Sequence, residues 1–176
     1  MKKLLLAATA CVVVLGIGVF LYFRTVSSIV PTASEPVATV TTSKTKVIAF
    51  KVLDSGDVAK GMPERKNYAI YNATEFRNFW LKAHGTDGAP VPSVDFSKQY
   101  VIGVFAGSEP TGGYSISVSR ITDSGTEQAV AIVIQEPGAN CSQIEEETRP
   151  YQFVSVPLSE DEALSHTDER TKHQCK

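Results

Sequence analysis

Side chains that could act as a nucleophile, a base or a metal ligand are few and scattered in this sequence. Hydrolysis by a nucleophile requires a serine or cysteine within reach of a histidine that a carboxylate orients. His84, His166 and His173 do not stand at the spacing of such a motif. The three glutamates at 145–147 form a run of like charge, which is typical of a solvated edge. We therefore expect a protein that is not an enzyme and has no cofactor.

One loop has chemistry suited to binding another protein, and we call it the central loop. It comprises Gly107, Ser108, Glu109, Pro110, Thr111, Gly112, Gly113 and Tyr114. Glycine reaches positive φ without steric cost and proline fixes its own φ, so the loop should be stiff and leave backbone N–H and C=O groups open to an extended chain. We expect Glu109 and Thr111 to face solvent, with Tyr114 as an anchor. The alternative is a tight turn whose tyrosine packs inward.

Two apolar segments flank the central loop and should hold it in place. Residues 100–106 are almost wholly apolar, which is typical of a strand covered on both faces. After the loop, Tyr114, Ile116 and Val118 alternate with serines, which is typical of a strand covered on one face.

A single short helix is predicted over residues 73–84. Asn72 and Glu75 have the spacing of a helix cap with a returning acidic side chain, and Gly85 ends the pattern. The apolar residues between share one helical face; they are Phe76, Phe79, Trp80 and Ala83. We expect this aromatic face to pack on a sheet, with Trp80 as its cover.

The remaining pattern predicts short strands separated by close turns. They cover residues 47–53, 67–71, 128–135 and 150–157, with half a strand at 141–148. With one helix, this pattern is typical of a mostly β domain, an antiparallel sandwich or an open barrel. We place the domain at residues 47–158 and expect a charged tail, mobile apart from its cysteine, at 159–176.

Three cysteines occur in the chain. Cys11 lies in the apolar N-terminal segment, which leaves Cys141 and Cys175 as a pair. In an exported domain this pair should form a disulfide that ties down the tail and stabilises the fold by about 2–4 kcal/mol. The alternatives are two free thiols, or a metal site of His173 and Cys175 that lacks further ligands at a helpful spacing.

The N-terminal residues predict a membrane segment. Leu4 to Phe23 are twenty residues without a charge, and a helix of that length spans about 30 Å, the thickness of a bilayer core. Two lysines before it and only Arg24 just after it place the N-terminus in the cytoplasm. We therefore expect a signal anchor at residues 1–24 and an extended Ser/Thr/Pro linker at 25–46. The domain would then lie in the periplasm or the extracellular space.

Two alternatives concern the processing of the N-terminal segment. Cleavage near residues 26–28 would release the domain, and residues 8–11 resemble a lipoprotein box that comes too early in the apolar run.

The formal net charge is −2, without a basic stripe. Such a surface excludes nucleic acid as an expected partner.

From about residue 68 to residue 156, the order of features resembles a bacterial family, the PrcB C-terminal domain. The features are Glu75-Phe76 with Phe79-Trp80, Val94-Asp95-Phe96-Ser97, the central loop, and Arg149-Pro150-Tyr151. The family takes its name from a subunit that associates with and stabilises a secreted protease. Together with the predicted N-terminal anchor, the resemblance implies a membrane-tethered module in the bacterial envelope that binds an exported protease or another envelope protein.

The central loop alone is similar to the loop that chagasin-type inhibitors insert into papain-like cysteine proteases. Those inhibitors are immunoglobulin-like sandwiches with an asparagine where this chain has Glu109, and the present loop has an extra glycine. This similarity implies protease inhibition as an alternative function. A further alternative is a structural envelope domain that reaches its partners through the acidic face around Glu145.

Overall fold

A computed structural model of the chain describes residues 45–86, 88–158 and 163–175. In chain order, the elements are β1 (Lys46–Ile48), β2 (Lys51–Gly56), β3 (Lys66–Ile70), α1 (Ala73–His84), β4 (Gln99–Phe105), β5 (Ser115–Asp123), β6 (Glu127–Pro137), β7 (Tyr151–Pro157) and β8 (Ala163–His173). The expected anchor at 1–24 and nearly all of the expected linker lie outside the described residues. In the described part of the chain, no helix is long and apolar enough to cross a bilayer.

Within the residues that the structure describes, the strands form two four-stranded sheets. Sheet I has the order β1-β5-β6-β8, and sheet II has the order β2-β7-β4-β3. Five of the six pairings are antiparallel, and β6 with β8 is parallel. The prediction of a mostly β domain with antiparallel sheets and one short helix is confirmed, with a parallel edge as a correction.

The inner faces of the two sheets pack against each other. Ile102 of β4 and Val154 of β7 meet Ile116 of β5 and Ile132 of β6, all at most 4% exposed. Because side chains alternate along a strand, the opposite side chains of β4 and β7 point away from this core. They form a second apolar cluster on the other face of sheet II.

Helix α1 covers that second face. Asn72 Oδ1 accepts the Glu75 N–H at 2.8 Å, and the Gly85 N–H donates to the Leu81 carbonyl, so the predicted cap and end of the helix are confirmed. The apolar face of α1 packs its rings against sheet II, where Phe76 and Trp80 lie 5.8 and 5.5 Å from Phe153. Sheet II is therefore buried on both faces, which explains the continuous apolar sequence of β4.

The strand predicted at 47–53 is two strands. β1 pairs with β5 in sheet I, and β2 pairs with β7 in sheet II, so the chain changes sheets at residues 49–50. Ile48 and Phe50 both pack against the core between the sheets. One apolar segment thus supplies an edge strand to each sheet. In the sequence, the two strands form a single apolar run.

The predicted mobile tail is wrong for residues 163–173, which form β8 and pair with β6 over its whole length. Most of β8 is exposed, so backbone hydrogen bonds rather than apolar burial hold it. The half strand expected at 141–148 is also absent, because in that segment only Thr148 joins a ladder, as an isolated bridge to Glu109. The predicted disulfide is present and joins Cys141 to Cys175.

Candidate functional site

The central loop connects β4 of sheet II to β5 of sheet I, and its first residue fixes its direction. Gly107 has φ +86°, and a Cβ there would lie 2.7 Å from the backbone nitrogen of Arg65. Only glycine fits without displacing that backbone. The next residue, Ser108, donates its N–H to the Pro63 carbonyl at 2.9 Å. The start of the loop is therefore held against the segment that precedes β3.

The other side of the central loop pairs with residues 141–149, which we call the brace segment. Glu109 and Thr148 exchange two backbone hydrogen bonds of 2.8 and 3.0 Å, and the Gly112 N–H donates to the Ile144 carbonyl at 2.9 Å. These backbone groups are occupied within the protein. The expectation that the glycines leave their backbone open to an extended chain is therefore wrong for Gly112.

Side chains strengthen the same contact. Thr111 Oγ1 donates to Gln143 Oε1 at 2.6 Å, and Thr148 Oγ1 donates to the Thr111 carbonyl at 2.8 Å. Ser108 Oγ donates to Glu147 Oε1 at 3.1 Å. Hydrogen bonds therefore fix the loop from its first residues to its tip. Thr111, expected to face solvent, is half-buried.

Glu109 does not face solvent, contrary to expectation. It is 9% exposed, and its carboxylate lies 3.8 Å from Arg170 of β8, which also donates to Glu136 Oε1 at 2.7 Å. Burial raises the pKa of the Glu109 carboxyl, Arg170 opposes this effect, and the negative charge of Glu136 adds to it. The backbone of Glu109 is fixed by its bridge to Thr148. The segment expected to be a mobile tail thus supplies its charged partner.

The solvent-facing part of the loop is small and largely apolar. Ser108, Pro110 and Gly113 are exposed, and Tyr114 is half-buried. Gly113 has φ +84°, whereas Gly112 has no such restriction and space for a Cβ at ordinary contact distance from Ile144. Of the two adjacent glycines, only Gly113 is therefore required for the backbone conformation of the tip.

Ile144 is a site residue that sequence reasoning missed. Its side chain is 73% exposed, and it lies beside Gly112. A single apolar residue next to three glutamates has no periodicity, so the only available signal is its isolation. We call the surface formed by Pro110, Thr111, Gly112, Gly113 and Ile144 the loop surface.

The brace segment is anchored at both ends. At one end, Cys141 is bonded to Cys175, and the Gly138 N–H donates to the carbonyl of His173 in β8. At the other end, the Arg149 N–H donates to the Asp57 carbonyl at 2.7 Å. The disulfide therefore serves the candidate site indirectly, by fixing the segment that supports the loop.

His84 has structural partners at the end of α1. Its Nε2 lies 2.9 Å from Asp54 Oδ2, its ring stacks on Trp80, and Tyr151 donates its hydroxyl to the same Asp54 oxygen at 2.7 Å. Burial, then the hydrogen bond and charge of Asp54, raise the pKa of Tyr151. The phenol therefore keeps its proton as a donor. The described ranges also contain no group of three or more His, Cys, Asp or Glu that could hold a metal ion.

Comparison with known families agrees with the sequence resemblance. The family model described as PrcB C-terminal matches residues 100–157, about a third of the chain, and the resemblance is confirmed there. The match runs from β4 through the central loop and the brace segment to the end of β7. No curated protein and no solved structure matched significantly.

Proposed function

We propose that this domain is a protein-binding module that associates with an exported protease and stabilises or modulates it through the loop surface. The match to the PrcB C-terminal family supports a role related to a protease complex. The observation that carries the contact is the central loop itself. Hydrogen bonds to Pro63 on one side and to the brace segment on the other fix it, while its tip remains exposed.

A fixed loop suits this role because association must repay the entropy of ordering the contacting groups. The loop surface has few side chains to order, since two of its five residues are glycines and Thr111 is already hydrogen-bonded. Burying the exposed side chain of Ile144 would contribute about 1–2 kcal/mol. We expect a partner with a shallow apolar pocket for Ile144 and Pro110.

We also propose that the domain works outside the cytoplasm, held to the bacterial inner membrane by residues 1–24, with cleavage of that segment as the alternative. The Cys141–Cys175 disulfide supports this location because such bonds persist in oxidising compartments. The apolar sequence of residues 4–23 supports the anchor.

The test is chemical cross-linking in cells that express the full chain, followed by mass spectrometry. We expect an exported protease among the captured proteins, and Ile144→Glu should reduce its capture at least tenfold, which corresponds to about 1.4 kcal/mol. The matched control is Val47→Glu. Val47 is 63% exposed on β1, and it pairs with Thr122, near the end of β5 that lies away from the central loop. Equal capture by Ile144→Glu and the wild type would rule out the loop surface.

A salt series separates this contact from one through the acidic face around Glu145. Screening weakens contacts between exposed charges, whereas an apolar contact changes little. We expect capture to persist at about 0.5 M salt, where the Debye length is under about 8 Å. The activity of the captured protease, with and without the domain, then distinguishes stabilisation from inhibition.

A further inference from the structure

A cluster of hydrogen-bonding side chains joins the end of α1 to two strands of sheet II. His84 Nε2 lies 2.9 Å from Oδ2 of Asp54 in β2, and the hydroxyl of Tyr151 in β7 lies 2.7 Å from the same carboxylate oxygen. That hydroxyl also lies 3.0 Å from His84 Nε2. The other ring nitrogen, Nδ1, lies 2.9 Å from the Trp80 carbonyl oxygen. Because the His84 side chain is only 11% exposed, these groups are its main partners.

The two contacts of the His84 ring both require a proton on the ring. A backbone carbonyl and an ionised carboxylate only accept hydrogen bonds, so Nδ1 must donate to Trp80 and Nε2 must donate to Asp54. A neutral imidazole has one N–H and one lone pair. In either neutral tautomer, one ring nitrogen would therefore face an acceptor without a proton between them. Only the imidazolium satisfies both contacts.

Tyr151 cannot replace a lost ring proton without taking a hydrogen bond from Asp54. Burial, then the hydrogen bond and charge of Asp54, and then the charge of Asp57 raise the pKa of Tyr151, so the hydroxyl keeps its single proton. It can donate that proton to Asp54 or to His84 Nε2, but not fully to both. Loss of one ring proton therefore breaks a hydrogen bond of the cluster in every arrangement.

Other charged groups near the ring make different contacts. Lys60 extends to the end of α1, where a Cβ on Gly85 would lie 3.1 Å from its Nζ. Lys82 of α1 extends over the Phe79 ring. Within the described ranges, the ion pair of His84 is the one with Asp54. Asp54 is therefore the charged group in direct contact with the ring.

The end of β2 that carries Asp54 also anchors the brace segment. The Asp57 carbonyl, just beyond β2, accepts the Arg149 N–H at 2.7 Å, and the Ala59 N–H donates to the Arg149 carbonyl at 2.8 Å. Tyr151 itself directly follows the brace segment and pairs with Gly56. A change in the hydrogen bonds of Asp54 therefore acts on one of the two anchors of the brace segment.

We propose that His84 is a pH-dependent clamp. Its imidazolium joins α1 to Asp54 of β2, and loss of one ring proton opens the cluster and loosens the anchor at Arg149. Histidine is the side chain that ordinarily changes charge between about pH 5 and 8, so the clamp responds within that range. The cluster shares no residue with the loop surface, and its test requires no partner protein.

The first test uses the fluorescence of Trp80, the single tryptophan of the chain. Its ring stacks on His84 with centroids 4.1 Å apart, so a charge on the imidazole acts directly on the indole. The emission of the full chain should change between about pH 8 and 5, and His84→Gln should remove that change. The matched control is His166→Gln/His173→Gln, which alters two exposed histidines of β8 and should retain it.

The second test is NMR of the full chain with ¹⁵N-labelled histidine and backbone amides. Both ring nitrogens of His84 should be protonated at about pH 5, and the Arg149 amide signal should move over the pH range in which the ring loses its proton. Asp54→Asn should retain the titration of the ring but lose the response of Arg149, because it removes the charge that β2 contributes to the clamp.

Three results would overturn the clamp. The first is an emission change of equal size in the wild type and in His84→Gln. The second is a wild-type His84 ring with a single protonated nitrogen at about pH 5. The third is an Arg149 response that persists unchanged in Asp54→Asn. The second result is measured on the wild type, so it does not depend on the folding of any variant.

Discussion

The four inner strands and the four edge strands of this domain are held by different forces. β4 and β7 are buried almost along their whole length, and β5 and β6 are buried on alternate residues. β8, by contrast, is exposed at most positions, and so is β1. Apolar burial stabilises the inner strands, whereas ladder hydrogen bonds, ion pairs and a disulfide hold β8.

This division coincides with the extent of the family match. Residues 100–157 contain all four inner strands and the central loop, and all four edge strands come from outside them. The flanking segments nevertheless complete the site, because Pro63 holds the start of the loop and Arg170 faces Glu109. The matched segment therefore specifies the position of the loop, and the flanking segments support it.

The largest effect should come from removing the disulfide that supports the edge strand β8. Cys141→Ser/Cys175→Ser should lower the free energy of unfolding by about 3–4 kcal/mol, because the disulfide closes a long loop in the unfolded chain. Urea-induced unfolding measures this change, and the reduced wild type should match the variant. A loss below about 1 kcal/mol would mean that the ladder alone holds β8.

A smaller effect compares one valine from each class of strand. Val154 of β7 and Val52 of β2 are directly paired, but Val154 is fully buried and Val52 is 47% exposed. Val154→Ala should cost about 2–3 kcal/mol, since it removes buried methyl groups and leaves a cavity, whereas Val52→Ala should cost less than about 1 kcal/mol. Similar losses in denaturant unfolding would contradict the division between inner and edge strands.

The smallest effect should come from Glu109 and Arg170, where the loop between two inner strands contacts the edge strand β8. The raised pKa of Glu109 means that the folded state holds this proton more tightly than the unfolded state. Stability should therefore fall as pH rises above the ordinary value of 4.5 and through the raised value, and Glu109→Gln should remove that fall. Unfolding free energies across this window measure it, with the exposed Glu145→Gln as control. A Glu109→Gln profile parallel to the wild type would show that this carboxyl does not contribute.

The inner half of the fold could be predicted from the sequence because its pattern is strong. The run at 100–106 is apolar because sheet II is covered on both faces, and the Asn72–Glu75 spacing located the start of α1. The cysteine pair followed from the position of Cys11. Each of these signals is local in sequence or depends on composition alone.

The edges could not be predicted, for a physical reason. β8 is charged on both faces, and its pairing with β6 is parallel and distant in sequence, so no periodicity reveals it. The burial of Glu109 depends on that strand, because Arg170 of β8 faces its carboxylate. The support of the central loop by residues 141–149 likewise consists of backbone hydrogen bonds in an irregular segment.

The disulfide has a mechanical consequence for a domain pulled between its ends. Cys141 and Cys175 are 34 positions apart, and the covalent loop between them contains both β7 and β8. Tension applied at the C-terminus passes through the two sulfur atoms to Cys141, bypassing that loop. A central strand of sheet II is thereby shielded from stretching, and the oxidised domain should extend by a correspondingly shorter contour length than the reduced one.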